Sequence, residues 1–342
     1  MQVRLLQLQD AAEWDEFVLG HPNGSPFHLL AWKRSIEEVF PYTAHYLIAS
    51  TGGRIRGVLP LFLVKNFLMG RVLLSTPFAV YGGVLAGAEE ARDALKTAAA
   101  ELARAERVEY MELRNGYQEQ CLGLPKIPHS VTFTQQVFAQ DDNELLYSLP
   151  KKTRNLVRKA RKFAYSMRRA TDLDGFYELL SRTYRRLGTP VFPRRHFEAL
   201  QRNFGDRVDV REVLLDGRVV AVSMNFFFQN QMHTYYAASA PDARAKAVNY
   251  YMYFEHLRWA GDNGYRIFDF GKSRKNSGTY DFKRHWRTER RELPYEVLLV
   301  NRKEMPNFNP GNPRFQPVIQ LWRRMPLPLT RLLGPRLIGL FP

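Results

Sequence analysis

Hydrophobic and polar positions along the chain organise into the same order of elements twice. Residues 44 to 64, "AHYLIASTGGRIRGVLPLFLV", predict two strands joined by a glycine turn, and "GRVLLSTPF" predicts a third. Over 88 to 105, "AEEARDALKTAAAELARA", the spacing becomes helical, with Leu95, Ala98, Ala99 and Leu102 on one face. The strand "VEYMELR" follows at 108 to 114. In the second half, "DVREVLLDGRVVAVSMNFFFQ" predicts a strand pair around Asp216-Gly217 and "QMHTYYAASA" a third strand. "NYYMYFEHLRWAGDNG" then predicts a helix and "YRIFDFG" a closing strand. Each closing strand sets an acid between apolar neighbours, Glu112 or Asp269. Two matching series predict a duplicated α/β unit.

Between the series lies "LPKKTRNLVRKARKFAYSMRRA", with nine cations and no acid from Lys151 to Arg169. Leu156, Val157, Ala160 and Phe163 allow a helix with one buried edge and a strongly positive face. Nine unbalanced charges repel one another unless an anion visits. Two readings stay open: a solvated helix surface and a phosphate- or RNA-facing one.

The stretch "FDFGKSRKNSGTYDFKRHW", 268 to 286, begins at a strand end, where loops of open α/β sheets diverge and ligands tend to bind. Alternation puts Ile267 and Asp269 on one face and Phe268 and Phe270 on the other, so Asp269 is a carboxylate inside an apolar strand. It either caps the following loop through backbone N–H groups or helps manage a substrate's proton. Gly271 and Gly278 let the loop lie close against a ligand. "YDFK" predicts a second short strand, while Lys272, Arg274 and Lys275 belong to the loop. Lys283 is either a snorkelling surface lysine or, fixed beside Phe282, a donor to the oxyanion of an acyl carbonyl. His233, in "QMHTYY", either reaches a site or, as the stronger reading, is a satisfied core or edge histidine.

Composition bounds the rest. The chain has 342 residues, 45% of them hydrophobic, enough for two domains with cores of their own. Its 50 Lys and Arg against 34 Asp and Glu give a formal charge of +16, favouring phosphate-bearing or anionic-membrane partners. The single cysteine, Cys121, cannot form an intramolecular disulfide, and "MQVRLLQLQDAAEWDEF" meets acids before any apolar run of secretory length. A cytoplasmic location is expected, without a transmembrane helix. The motifs of a P-loop, a serine hydrolase and a zinc protease do not occur, nor does a Cys/His cluster, so no metal site is expected.

Three stretches in order, "LPKKTRNLVRKARK", "NYYMYFEHLRWAGDNGYRIFDFG" and "SGTYDFKRHW", resemble the FemAB family of tandem-GNAT aminoacyltransferases, which includes the FemX branch. They look most like the FemAB-like proteins associated with exosortase (PEP-CTERM) and exopolysaccharide loci. The resemblance covers nearly the whole chain and is strongest over about 145 to 300. It implies an α/β fold of two tandem GNAT-like domains, with mixed sheets flanked by helices. The expected division is 1–145 and 146–300, the second domain carrying the active site, then a basic amphipathic tail over 301–342. Characterised members transfer an amino acid from aminoacyl-tRNA to an amine of a peptidoglycan precursor. Their Phe-Lys pair, which stabilises the reacting carbonyl, falls on Phe282 and Lys283. The expected catalytic residues are therefore Lys283 and Asp269. Phe282, Tyr280, Lys272 and Arg274 are expected to bind substrate, and Arg154, Lys33 and Arg34 to hold its phosphates.

The resemblance implies no tightly bound cofactor. The donor is aminoacyl-tRNA or acyl-CoA: the chain lacks the long helical arm common among tRNA-using members, and "PDARAKAVNYY" lacks the glycines with which GNAT enzymes cradle the CoA pyrophosphate. The expected acceptor is a phosphate-bearing cell-envelope precursor, related to peptidoglycan or exopolysaccharide. Two alternatives stand beside it: an acyl-CoA-dependent transferase acting on an amino sugar, and a non-catalytic protein binding polyanions or membrane through a degenerate acyltransferase fold. After Glu304 there is no acid, and "FQPVIQLWRRMPLPLTRLLGPRLIGLFP" mixes arginines with Leu, Ile, Trp and Phe. Residues 313–342 therefore either contact the inner membrane face peripherally or pack on the domain surface.

Overall fold

The computed structural model describes residues 1–116, 123–127, 130–306 and 316–342; Cys121 and residues 313–315 lie outside them. The chain forms two compact units, each of which follows from its own strand pairings. The first comprises Met1–His129, Glu292–Asn312 and Gly339–Pro342, the second Ser130–Arg291 and Pro313–Ile338. These units differ from the contiguous division expected at 145/146 and 300/301. Residues 130–145 go with the second unit, 292–300 with the first, and the tail contributes to both. Strand partners rather than chain order decide where a segment belongs.

The first unit opens with β1 (Gln2–Leu5), α1 (Ala11–Gly20), α2 (Leu30–Glu37), β2 (Thr43–Ala44), β3 (Leu47–Thr51) and β4 (Arg54–Leu59). It continues with β5 (Phe62–Asn66), β6 (Gly70–Leu74), β7 (Leu85–Ala86), α3 (Glu89–Ala105), β8 (Tyr110–Arg114) and β9 (Lys126–Ile127). A late strand, β17 (Tyr295–Leu299), completes a six-stranded sheet ordered β2-β5-β6-β8-β17-β9, beside a four-stranded sheet ordered β1-β3-β4-β7. The segment expected as two strands is thus three, in two sheets. Gly52 and Gly53, both at positive φ, turn β3 into β4. Pro60, which has no N–H to give a ladder, then separates β4 from β5. Helix α3 buries Ala91, Leu95, Ala99 and Ala103 completely, a stripe at spacing four, while Ala98 and Leu102 sit at its edge. That stripe packs against Leu47, Ala49, Leu73 and Met111, where a full leucine side chain contributes about 2 kcal/mol of burial.

The second unit begins with β10 (Ser130–Gln136), α4 (Asp142–Ser148), α5 (Lys151–Ala160), β11 (Ser166–Arg169), α6 (Asp174–Leu187) and α7 (Arg194–Phe204). Next come β12 (Val208–Leu215), β13 (Arg218–Phe228), β14 (Gln231–Ser239), α8 (Pro241–Ala245), α9 (Val248–Asp262) and β15 (Ile267–Arg274). It ends with α10 (Gly278–Arg284), β16 (Glu289–Glu292), α11 (Gln316–Arg324) and α12 (Leu327–Leu337). Its sheet has seven strands ordered β11-β12-β13-β14-β15-β10-β16. Strand β13 is buried continuously from Val220 to Phe228, and the two polar side chains in that run, Ser223 and Asn225, are both hydrogen-bonded.

The units share one local topology. In the first, β6 runs parallel to β8 after the connecting helix α3; in the second, β14 runs parallel to β15 after α9. One expectation is corrected: "YDFK" is helical. The Ser277 hydroxyl accepts from the Tyr280 N–H at 3.2 Å, capping the N-terminus of α10. Asp281 lies in the first turn, and Lys283 and Arg284 lie in the last, matching the helix dipole. A cap and favourable charges outweigh the strand propensity of two aromatics.

Candidate active site

Strands β14 and β15 pair only at Gln231–Ile267, Met232–Phe268 and His233–Asp269. Beyond that point β14 stays with β13 and β15 with β10, and each carries a register shift. Met224 faces Tyr236 but Asn225 faces Thr234, leaving Tyr235 as an extra residue. Phe133 faces Gly271 but Thr134 faces Asp269, leaving Phe270 extra. Bulges bend and twist their strands, so two of them, each within two residues of the last shared pair, open a gap at the carboxyl ends. Gly271 sits there at φ +75°, a backbone conformation that side-chain-bearing residues rarely adopt.

Lys283 reaches this opening from the last turn of α10. Its Nζ donates to the carbonyl oxygens of Gly271 at 2.9 Å and Lys272 at 3.0 Å, and the side chain is only 6% exposed. A Cβ built on Gly271 would stand 3.8 Å from both the Lys283 Nζ and the Thr234 carbonyl oxygen, so lysine, glycine and the end of β14 converge on one point. Two of its three N–H donors are engaged by these carbonyls. Burial lowers the Lys283 pKa to about 8, while the charge of Asp269 pulls the other way. At neutral pH the group is still mostly an ammonium.

Asp269 is completely buried. Its carboxylate accepts from the Gly271 N–H, lies 3.4 Å from the Thr132 hydroxyl, and faces His233 Nδ1 at 3.3 Å. It therefore holds the bulge and orients an imidazole. The expectation of a loop cap corresponds to the Gly271 bond. Behind β14 a buried polar network fixes Thr234. Its hydroxyl donates to Asn225 Oδ1 at 2.9 Å, and Asn225 Nδ2 donates to Asp209 at 2.8 Å. Arg211 donates to Asp209 at 2.7 Å and lies over the Trp259 ring at 3.7 Å. Ser223 joins Asn225 to His256, whose pKa is held well below the usual value by burial and by Arg211.

Phe282 is half-buried in an aromatic cluster, edge-on to Tyr250 at 5.1 Å and Tyr253 at 5.2 Å, which anchors α10 against α9. Tyr280 packs edge-on against Phe133 at 5.3 Å and accepts from Arg290 at 2.9 Å. Lys272 and Arg274 expose their side chains; what Lys272 brings to the opening is its carbonyl. Arg154 on α5 lies over Tyr147 at 5.2 Å, with Arg158 over the same ring at 5.3 Å. The adjacent Thr153 donates to the His285 carbonyl, tying α5 to the end of α10. Lys33 and Arg34 belong to α2 of the first unit, where Lys33 is paired with Glu37 at 2.7 Å and Arg34 is exposed. The structure thus gathers Lys283, Asp269 and the Lys272 carbonyl around one opening, with Phe282 fixing the helix that carries the lysine. Sequence reading passed over Thr132, Thr234 and the pairing of His233. The available signal was a polar pair, His-Thr, inside "QMHTYY".

No group of three or more His, Cys, Asp or Glu capable of holding a metal ion occurs among the described residues. None of the described helices is long and apolar enough to cross a membrane.

Residues 149–284 match the acetyltransferase (GNAT) domain family. The curated proteins give no significant match. Among solved structures, FemX superposes with a TM-score of 0.66 at 18% identity, covering 95% of this chain and 100% of that one. A tandem GNAT protein from the clavulanic acid biosynthesis pathway gives 0.54 at 12% identity, covering 89% and 100%. The C-terminal domain of a putative lysylphosphatidylglycerol synthetase from Agrobacterium fabrum gives 0.56 at 11%, covering 86% and 92%. The chain has the α/β fold of a tandem GNAT protein, with mixed sheets flanked by helices, and its match to the acetyltransferase (GNAT) domain family lies over 149–284.

Proposed function

We propose that the second unit transfers an acyl or aminoacyl group from an activated donor to a primary amine of a cell-envelope precursor. The observation that carries this is the opening between β14 and β15 with the buried ammonium of Lys283 at its mouth. The amine nitrogen attacks the acyl carbon, and the carbonyl oxygen gathers negative charge as the centre becomes tetrahedral. The remaining Lys283 N–H donates to that oxygen, and its two backbone bonds keep it in place beforehand, so the stabilisation costs little reorganisation. The carbon–oxygen bond of an aminoacyl ester, or the carbon–sulfur bond of a thioester, then breaks, and the amine proton ends on the leaving group. Asp269, sealed from solvent, acts by fixing Gly271 and His233.

The donor reading is aminoacyl-tRNA or acyl-CoA. The connection from β14 to α9 contains α8, with Arg244 and Lys246, and has no glycine. Charged side chains rather than bare backbone would meet donor phosphates there. On the acceptor side, Arg154 of the second unit and Lys33 and Arg34 of the first are the proposed contacts to precursor phosphates. Resemblance to the exosortase-associated FemAB-like proteins supports a peptidoglycan- or exopolysaccharide-related acceptor at the cytoplasmic face, with peripheral membrane contact through 313–342. The A. fabrum neighbour named as a putative lysylphosphatidylglycerol synthetase keeps a lipid acceptor as the second reading.

The test is native mass spectrometry of the purified protein with cell extract, followed by transfer assays with the donor so retained. Wild-type protein should form an amide product and Lys283→Met should not. A product formed equally by both would overturn the assignment.

A further inference from the structure

Helices α11 and α12 pack against α6 and each leaves large hydrophobic side chains facing outward. The residues α12 hides are Thr330 and Gly334, at 2% exposure and in contact with the Val191 backbone respectively, while Leu329 and Leu332 on its other side are 39% and 64% exposed. Helix α11 buries Trp322, whose Nε1 donates to the Thr189 carbonyl at 3.2 Å, yet leaves Val318 65% and Leu321 64% exposed. These four account for a third of the twelve exposed large hydrophobic residues described, within one fifteen-residue stretch. Isolated exposed leucines need no explanation; two adjacent helices that each turn a pair of large hydrophobic residues outward do.

The charges follow the same division. Arg331, turned inward, is paired with Glu178 and lies over Tyr177. Arg324 and Arg336 are exposed, on the same sides of their helices as Leu321 and Leu332, and no acid occurs in the sequence beyond Glu304. Arg323 bonds the Leu187 carbonyl at the end of α6, within the field of Arg186 and Arg244, so this corner holds several cations and few anions. A leucine face bordered by cations that have no acid among them complements one kind of surface: apolar below, negatively charged above.

From this arrangement we infer that the outer face of α11 and α12 docks onto an anionic phospholipid bilayer, with Val318, Leu321, Leu329 and Leu332 entering the interface and Arg324 and Arg336 meeting lipid phosphates. This rests on the peripheral contact proposed for 313–342 and not on the transferase reading. The face holds the chain at the level where lipid-linked amines lie.

The experiment is sedimentation of the full chain with phosphatidylcholine vesicles, with and without phosphatidylglycerol, in the absence of any acyl donor. Binding is expected to the mixed vesicles and to weaken roughly fivefold with each arginine removed, as in Arg324→Gln and Arg336→Gln. Leu321→Ser with Leu332→Ser should lower it further, with little change in melting temperature because both residues are 64% exposed. Equal partitioning to neutral and anionic vesicles, or leucine variants that bind like wild type, would overturn the proposal. So would a leucine-dependent dimer in vesicle-free solution, which would assign the face to a second copy. A chain that transfers acyl groups yet ignores vesicles sinks this inference alone; one that binds vesicles without transferring sinks only the other.

Discussion

Lys283 bonds the carbonyl of Gly271, twelve residues earlier in the chain, at 2.9 Å. One bond thus joins the helix that supplies the charge to the bulge that opens the sheet. The two features are built from different segments, so each can be perturbed while the other is watched.

Replacing Lys283 with methionine keeps the length of the side chain and removes the donor. Turnover should fall by about 100-fold or more, the range seen when a preorganised oxyanion donor is lost. Stability should change by no more than about 1–3 kcal/mol, the cost of leaving backbone acceptors unpaired. Steady-state kinetics beside thermal melting separates the two effects.

The lowered pKa of Lys283 sets a pH limb. If the ammonium is the donor, activity should decline as pH rises through about 8, with the loss of one proton. Asp269→Asn removes the charge that raises this pKa, so the limb should move to lower pH. The stability contribution has the opposite sense. Below pH 8 the lysine is charged in both states and its burial cost is carried in full. Between 8 and the ordinary lysine value of 10.5 the unfolded chain binds the extra proton, so this group makes the fold more stable as pH rises. A limb that rises through pH 8 in the activity profile would point to a neutral amine as the working species.

Ser277→Ala removes the cap of a seven-residue helix. A loss of about 1 kcal/mol is expected, concentrated in α10, and hydrogen exchange should report faster opening of Tyr280 to Arg284 while the strands stay protected.

Asp209→Ala leaves the Arg211 guanidinium, 6% exposed, without its carboxylate. Breaking one side of a buried pair costs about 3–5 kcal/mol, and Asn225 and Thr234 lose their anchor at the same time. A fall in melting temperature should be accompanied by reduced turnover in whatever fraction remains folded. Arg211→Met removes the counter-charge of a buried carboxylate that keeps only its bond from Asn225, and should also lower the melting temperature.

In Gly271→Ala the new Cβ makes ordinary van der Waals contact, its nearest neighbours being 3.8 Å away, so any penalty comes from the backbone at φ +75°. About 1–2 kcal/mol of strain is expected, together with a change in turnover as the Gly271 carbonyl swings away from Lys283.

Much of this protein was written in its pattern of apolar residues. The repeated order of strands, helix and strand, the stripe of α3 and the buried carboxylate at Asp269 all follow from periods of two and 3.6, which are local properties of the chain. Resemblance singled out Phe282 and Lys283, although the segment holding them read as a strand. Two aromatics in four residues mimic strand composition, and the serine cap three residues before Tyr280 carried the contrary signal. Local pattern could not say that Tyr295–Leu299 would join a sheet begun near residue 43, or that Pro60 would divide one apolar run between two sheets. Nor could it place Lys283 on the carbonyl of Gly271, or turn the leucines of α12 outward over a hidden threonine and glycine. Sequence fixes which residues seek burial and which conformations they favour; which partners satisfy them depends on strands and helices far apart in the chain meeting in space. The site depends on such a meeting, where two bulged strands part and a helix end fills the gap.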